Sequence, residues 1–433
     1  MAGKQTWTYD QSTEDALFKT AYGKHNAKAF NQRSPLYGRI KKKTNFKGKE
    51  MVSSIRLSYG GGRGSGKLPR ASRALYKQIK LTTKKLYHRL SIDQETFQAS
   101  KDSVSAFVNM AKEPMEVARV AFSNLLERQI VLGDLKGSGL LGTRRATLAL
   151  NSITDTNGVQ GVGAKLTVAD FVSSAESLEE GDVVDLYQGG DRKKICEVTG
   201  VAESGELKLT VLKADAGIQA VANNDATELT VYLQNSKDKE LEGLQGILKA
   251  TPGADASTVS KRREYKGIEI GKRWQAHIQA APAEGSDFDP KRIKRELNKA
   301  ILQIVKRCGE IPTVLMCNHD VYTKLLDSFE DIKRVQIPAR GKALKGQVGY
   351  GALEYVSAQG TIPVVFNRYV PTGEMYLLNE DKIELVSRAA PQWFNRDGTV
   401  FLRENDEDTY EARYGCFSDL FVQPFYQGII TGI

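Results

Sequence analysis

Apolar and polar residues nearly alternate over residues 51–59, with Met51, Ile55, Leu57 and Tyr59 on one face and Ser54, Arg56 and Ser58 on the other, the period of a β-strand. A second extended run covers 75–92. Between them, Gly60-Gly61-Gly62-Arg63-Gly64-Ser65-Gly66-Lys67 has the composition of a flexible tip, so 51–92 reads as one long β-hairpin. It carries many cations and too few large apolar side chains for a core, and a two-stranded unit is marginal alone in water, so it should lie against something else. The period then changes. Met115, Ala118, Phe122, Leu125 and Leu132 recur at helical spacing up to Gly133, and Pro114 either starts this helix or kinks a longer one reaching back to Val104. Short β-like runs at 182–187, 194–201, 206–212 and 228–233, separated by Gly, Asn and Asp turns, predict a small barrel or sandwich inserted over 150–245. A second helix is marked by Asp289 as N-cap, Pro290 in the first turn, inward-facing Ile293, Leu297, Ile301, Ile304 and Cys308, and Gly309 as its stop. A strand over 311–317 and a helix over 319–329 follow. The C-terminal quarter reads as strands, with a hairpin across Pro371-Thr372-Gly373 and a closing apolar run at 421–430.

Composition bounds this picture. A chain of 433 residues, 40% hydrophobic and 26% charged, suffices for two or three packed units. No apolar run approaches the roughly 18 residues that span a bilayer and no signal region opens the sequence, which predicts synthesis in the cytosol and no membrane partner. Cys196, Cys308, Cys317 and Cys416 lack C-x-x-C spacing and read as reduced, structural thiols; His25, His88, His277 and His319 are equally dispersed, so neither metal nor cofactor is expected. Charge is polarised. Residues 1–90 hold 21 Lys and Arg against 4 Asp and Glu, a local net of +17 in a chain of net +10, so the remainder sums to −7. Residues 1–50, with few periodic apolar positions and the run Lys41-Lys42-Lys43, read as an extended basic arm that needs nucleic acid, an acidic protein or a neighbouring copy to order it.

Three motifs invite chemistry. Gly61, Gly66 and Lys67 approach a phosphate-binding loop, but Leu68 stands where a magnesium-binding hydroxyl is required and Pro69 follows in place of a helix N-terminus. Gly137-Ser138-Gly139-Leu140-Leu141-Gly142 matches G-x-G-x-x-G, yet a helix precedes it where a dinucleotide fold needs a strand, so it reads as a tight turn. Glu404, Asp406, Glu407, Asp408 and Glu411 lack an ordered ligand spacing; the sharper alternative to a solvated loop is an acidic counterpart for a basic arm or hairpin of another subunit. Tyr37, Phe46, Tyr59, Tyr76 and Tyr87 interleave with cations without any sequence-reading motif, which leaves room for non-specific phosphate contact.

The order of parts resembles the major capsid proteins of tailed bacteriophages, the Hong Kong 97-type (HK97-like) fold. The likeness is carried by the basic arm, the basic hairpin, the long helix ending in Gly133-Asp134-Leu135-Lys136 and the glycine-rich exit, Leu241-Glu242-Gly243-Leu244-Gln245-Gly246-Ile247-Leu248, the later helix-strand-helix block, and the closing strands over 421–433. The resemblance implies an α+β capsid fold: an N-terminal arm (1–50), an extended β-hairpin loop or E-loop (51–92), a peripheral domain with a long spine helix (93–149), a β-rich insertion (150–245), an axial domain (246–385, mostly 285–385) and C-terminal strands (386–433) returning to the peripheral domain. It implies a non-enzymatic head-shell subunit of the virion, assembled in the bacterial host cytoplasm. Its copies would form hexamers and pentamers that close into an icosahedral shell around double-stranded DNA. A separate scaffolding protein, portal and decoration proteins are expected partners, and contact with packaged DNA is non-specific. Lys41, Lys42, Lys43, Arg56, Arg63, Lys67 and Arg70 are then the intersubunit contacts of arm and loop, with Glu404, Asp406, Glu407 and Asp408 as the acidic counterpart. An encapsulin-like compartment of the same fold, and a basic DNA-binding or nucleotide-hydrolysing protein, are the alternatives.

Overall fold

The computed structural model describes residues 35–44, 46–58, 75–93, 104–133, 153–155, 165–168, 178–188, 191–201, 207–214, 229–252, 261–262, 264–281, 290–330, 353–357, 360–394, 400–403 and 408–433. Its elements, in chain order, begin with helix α1 (Pro35–Arg39) and strands β1 (Lys41–Lys43), β2 (Met51–Ser58), β3 (Leu75–Leu81) and β4 (Lys84–Asp93), then the long helix α2 (Val104–Leu132). Six strands follow: β5 (Ile153–Asp155), β6 (Lys165–Val168), β7 (Val183–Gln188), β8 (Asp191–Val201), β9 (Leu207–Ala214) and β10 (Leu229–Leu233). A short helix α3 (Leu244–Leu248) leads into β11 (Thr251–Pro252), β12 (Lys261–Arg262), β13 (Glu264–Tyr265), β14 (Ile268–Glu269) and β15 (His277–Ala280). Helix α4 (Pro290–Cys308), strand β16 (Val314–Cys317) and helix α5 (His319–Glu330) precede β17 (Glu354–Ser357), β18 (Gly360–Phe366), β19 (Glu374–Leu378), β20 (Ile383–Trp393), β21 (Leu402–Arg403), β22 (Thr409–Val422) and β23 (Gly428–Thr431).

Helix α2 runs unbroken through Pro114, and its 29 residues make a rod of about 44 Å. Ala118, Phe122, Leu126, Ile130 and Val131 form its buried stripe, while Leu125 and Leu132 are only half-buried. The stripe packs on a five-stranded sheet in which β22 is central: β4 pairs antiparallel along it, β20 and β21 lie on its other side, and β1 adds to β20 in parallel. A second, mixed sheet has the order β15-β23-β19-β16-β18-β17. Ile293, Leu297, Ile301 and Ile304 of α4 seal it against Leu315, Val364, Leu377 and Ile430, which is why the helical period predicted in this segment is so regular. The insertion forms one antiparallel sheet, β10-β7-β8-β9-β6-β5, among the described residues.

Several expectations change. The long hairpin is β2 with β3 alone; β4 bends away after Leu81 and spends ten residues on β22, because Leu90 and Ile92 have a sheet to bury against. Ile79 and Leu81 sink into the main core, so the hairpin's base is part of the body. The end of the arm is too: Leu36, Ile40 and Phe46 are buried there. The inserted barrel or sandwich is a single sheet among the described strands, and two of its strands, β5 and β6, were not anticipated. Pro371-Thr372-Gly373 turns the chain, with Gly373 at φ +74°, but β18 and β19 are not a hairpin; β16, buried on both faces, lies between them. The closing apolar run is broken at Pro424, which cannot donate to a ladder, so β22 stays in the first sheet and β23 crosses to the second. The C-terminal strands thus serve both sheets.

Candidate assembly surfaces

The hairpin leaves the body at Thr82, and a buried charge cluster holds that point. Lys266 stands in a left-handed turn, φ +50°, between β13 and β14. Its carbonyl accepts from the Lys80 amide at 3.1 Å, and its ammonium lies 2.8 Å from both oxygens of Asp419 on β22 and 3.2 Å from Glu242. Asp419 also accepts from the Thr82 amide at 3.1 Å. Burial pushes the Asp419 carboxyl above its ordinary value, with Glu242 adding to it and Lys266 opposing. Burial alone would lower the Lys266 ammonium, but the two carboxylates raise it. One cation thus clamps hairpin base, β22 and the segment before α3.

The arm's root is held by a second buried carboxylate. Glu127, on the inner face of α2, accepts from the first amides of α1, Leu36 at 2.8 Å and Tyr37 at 2.7 Å, and from the side chain of Asn367 at 2.8 Å. A carboxylate at a helix N-terminus satisfies donors that have no partner within the helix. Burial nonetheless pushes it above the ordinary glutamate value, against those three hydrogen bonds. At the other end of α1 Arg39 pairs with Glu380, and β1 follows with Lys41 2.9 Å from Asp381 and Lys43 2.7 Å from Glu384, while Lys42 sits 3.8 Å above the Tyr37 ring. The lysine run therefore faces carboxylates of its own chain; these pairs are well exposed and fix register more than they add stability.

Where α2 ends, two glycines let the backbones touch. A Cβ on Gly133 would stand 2.5 Å from the Gln129 carbonyl and 2.6 Å from the Gly243 amide, and one on Gly243 2.4 Å from the same carbonyl. Arg128, buried beside this contact, bonds Glu240 at 2.8 Å. The backbones on either side of the insertion thus meet at Gly133 and Gly243.

Of the residues singled out from sequence, Arg56 is described only by its backbone pairing with Tyr76, and Arg63, Lys67, Arg70, Glu404, Asp406 and Glu407 lie outside the described residues. Asp408 pairs with Arg403 at 3.3 Å on the surface, whereas Glu411 is buried and holds Arg89 at 3.1 Å and Arg413. The residues that do most, Glu127, Glu242, Lys266 and Asp419, were missed; the one signal was the polar triplet Glu127-Arg128-Gln129 interrupting an apolar helix face. All four cysteines are free, and burial pushes the thiols of Cys196 and Cys317 up to about 12, far from a nucleophile's range. Among the described residues no three His, Cys, Asp or Glu side chains converge as a metal site, and no helix is long and apolar enough to cross a membrane.

A hairpin and the end of an arm are thus fastened to a two-sheet body with a long helix, an arrangement of the HK97-like fold. Over 98% of both chains the structure is similar to the capsid asymmetric unit of cyanophage A-1(L), at 13% identity and a TM-score of 0.51. It is also similar to a chain from Mycobacterium phage Bobi (9% identity, 98% of both chains, TM-score 0.44) and to the holo-SrpI encapsulin complex from Synechococcus elongatus PCC 7942 (7% identity, 98% of this chain and 95% of that one, TM-score 0.42). The model of the SU10 major capsid protein family matches residues 205–397. A search of curated proteins gave no match. The fold is HK97-like, and the family whose model matches is one of major capsid proteins.

Proposed function

We propose that this protein is the head-shell subunit of a tailed phage, assembling as hexamers and pentamers into an icosahedral shell around double-stranded DNA. The observation that carries the reading is a capsid fold over 98% of the chain whose hairpin is clamped at its base by Lys266 and Asp419. A two-stranded ribbon with little core of its own gains stability by lying on a neighbour, and many identical heterologous contacts that close make a shell. The arm and hairpin connect subunits, with the acids near Asp408 as a counterpart. Scaffolding, portal and decoration proteins are further partners, contact with DNA is non-specific, and assembly takes place in the host cytoplasm. No chemical step is assigned to the chain. Expression followed by size fractionation and electron microscopy should show closed particles. A chain that stays monomeric with and without its scaffolding partner, yet binds DNA tightly in a salt-dependent way, would contradict the reading. Particles that hold protein cargo in place of nucleic acid would favour a compartment over a phage head.

A further inference from the structure

Beside the hairpin base lies an open groove of about 850 Å³, walled by Ile55 of β2, the turn at Lys272 and Arg273, the C-terminal end of α4, and Phe425 and Tyr426. Its chemistry is basic and aromatic. Lys272 and Arg273 are exposed at the turn. Arg307 donates to the Gln275 carbonyl at 2.6 Å and lies 5.1 Å from the Phe425 ring centre. The acid among the described lining residues, Glu310, already holds Lys382 at 3.1 Å and accepts from Asn379 at 2.9 Å. The groove therefore suits an acidic segment that also carries apolar side chains.

The sequence contains such a segment within its otherwise basic arm. Residues 7–18 hold Asp10, Glu14 and Asp15 with Trp7, Tyr9, Leu17 and Phe18, and no lysine or arginine. The geometry points to this groove as the dock for residues 7–18 of a second copy, an inference that rests on the shell reading above. The direction of α1 argues for a neighbour over the same chain. Its N-terminal end faces Glu127, and its C-terminal end faces Glu380, two residues before Lys382, which pairs with Glu310 and lies over Tyr426 of the groove. The chain before Pro35 thus departs from the end remote from the groove. Docked, the segment sets its acids against Lys272, Arg273 and Arg307 and its rings against Phe425 and Tyr426. Because Ile55 is one wall, an occupied groove also fixes the angle at which the hairpin leaves its body.

The groove carries its own reporter, since Cys308 lines it half-buried while Cys196, Cys317 and Cys416 are buried. Full-length Leu17→Cys, assembled and oxidised with copper–phenanthroline, should give disulfide-linked dimers and higher species on a non-reducing gel. Adding Cys308→Ser should abolish them. Shells that form normally without any link through Cys308, or a link that closes within one chain and adds no mass, would overturn the inference while leaving the shell reading intact; failure of the wild-type chain to form particles would instead sink the reading. Independently, Lys272→Glu with Arg273→Glu should slow assembly about tenfold and be rescued by Asp10→Lys, Glu14→Lys and Asp15→Lys in the same chain. Absence of rescue would also count against the pairing.

Discussion

Glu127 and Lys266 show how single buried charges fasten the root of the arm and the base of the hairpin. Glu127 is met by groups from two separate segments and Lys266 by groups from three, so removing either strands several donors or acceptors at once. Glu127→Ala should cost about 2–3 kcal/mol in a urea or thermal melt and release α1, seen as faster amide exchange at Leu36 and Tyr37. Lys266→Met leaves Asp419 and Glu242 buried without their cation and should cost about 3–5 kcal/mol, with the amides of Lys80 and Thr82 losing protection. Acid titration gives a sharper signature. The folded-state pKa of Glu127 is raised from 4.5, so its favourable contribution is fully present below the unfolded value and is lost as pH rises through the folded one. The stability deficit of Glu127→Gln relative to wild type should therefore shrink as pH rises above 4.5, as checked by melting both across that range; a deficit that grows would mean the carboxylate is favoured on folding. Apart from the polar triplet at Glu127, nothing in the sequence marks these residues, because a buried charge is recognised by its partners, and those lie 90 or more positions away in most of these contacts.

The three long helices were legible and the short α1 and α3 were not, because only a long helix repeats its buried stripe: Ile293, Leu297, Ile301 and Ile304 carry the clearest period, and Gly309, at φ +75°, ends it where expected. Strand partners were not legible. A turn such as Pro371-Thr372-Gly373 reports that the chain reverses, not that its flanking strands pair, and here β16 enters between them from more than 40 residues upstream. The hairpin's extent was overestimated for the same reason, since β3 and β4 share one extended pattern while pairing with different partners. The close approach of α2 to the segment before α3 makes a specific demand: Gly133→Ala places a methyl group against backbone atoms that have no rotamer to yield, and should cost about 3 kcal/mol or more. A soluble variant with a wild-type melting temperature would show that this contact can relax. At β1, Lys41→Glu with Lys43→Glu opposes two exposed ion pairs and should lower stability by only about 1 kcal/mol, because such pairs are screened.

The molecule as a whole combines a two-sheet body with the root of an arm and the base of a hairpin, both held in its core. Charge is polarised along the chain: the N-terminal fifth is strongly basic and the remainder acidic, which on the proposed reading also favours contact between copies. The basic N-terminus first suggests nucleic acid, yet Lys41 and Lys43 at the arm's root pair with carboxylates of the protein itself. Deleting residues 1–34 should accordingly weaken assembly far more than it lowers the melting temperature, since the arm's root and the main core lie beyond the deletion. The most direct measurement is cryo-electron microscopy of the large fraction from expressed full-length chain with its scaffolding partner. The account predicts closed icosahedral shells in which each hairpin lies across an adjacent subunit, with Lys266 and Asp419 at its base. Monomers alone, or particles whose hairpins fold back on their own bodies, would contradict it.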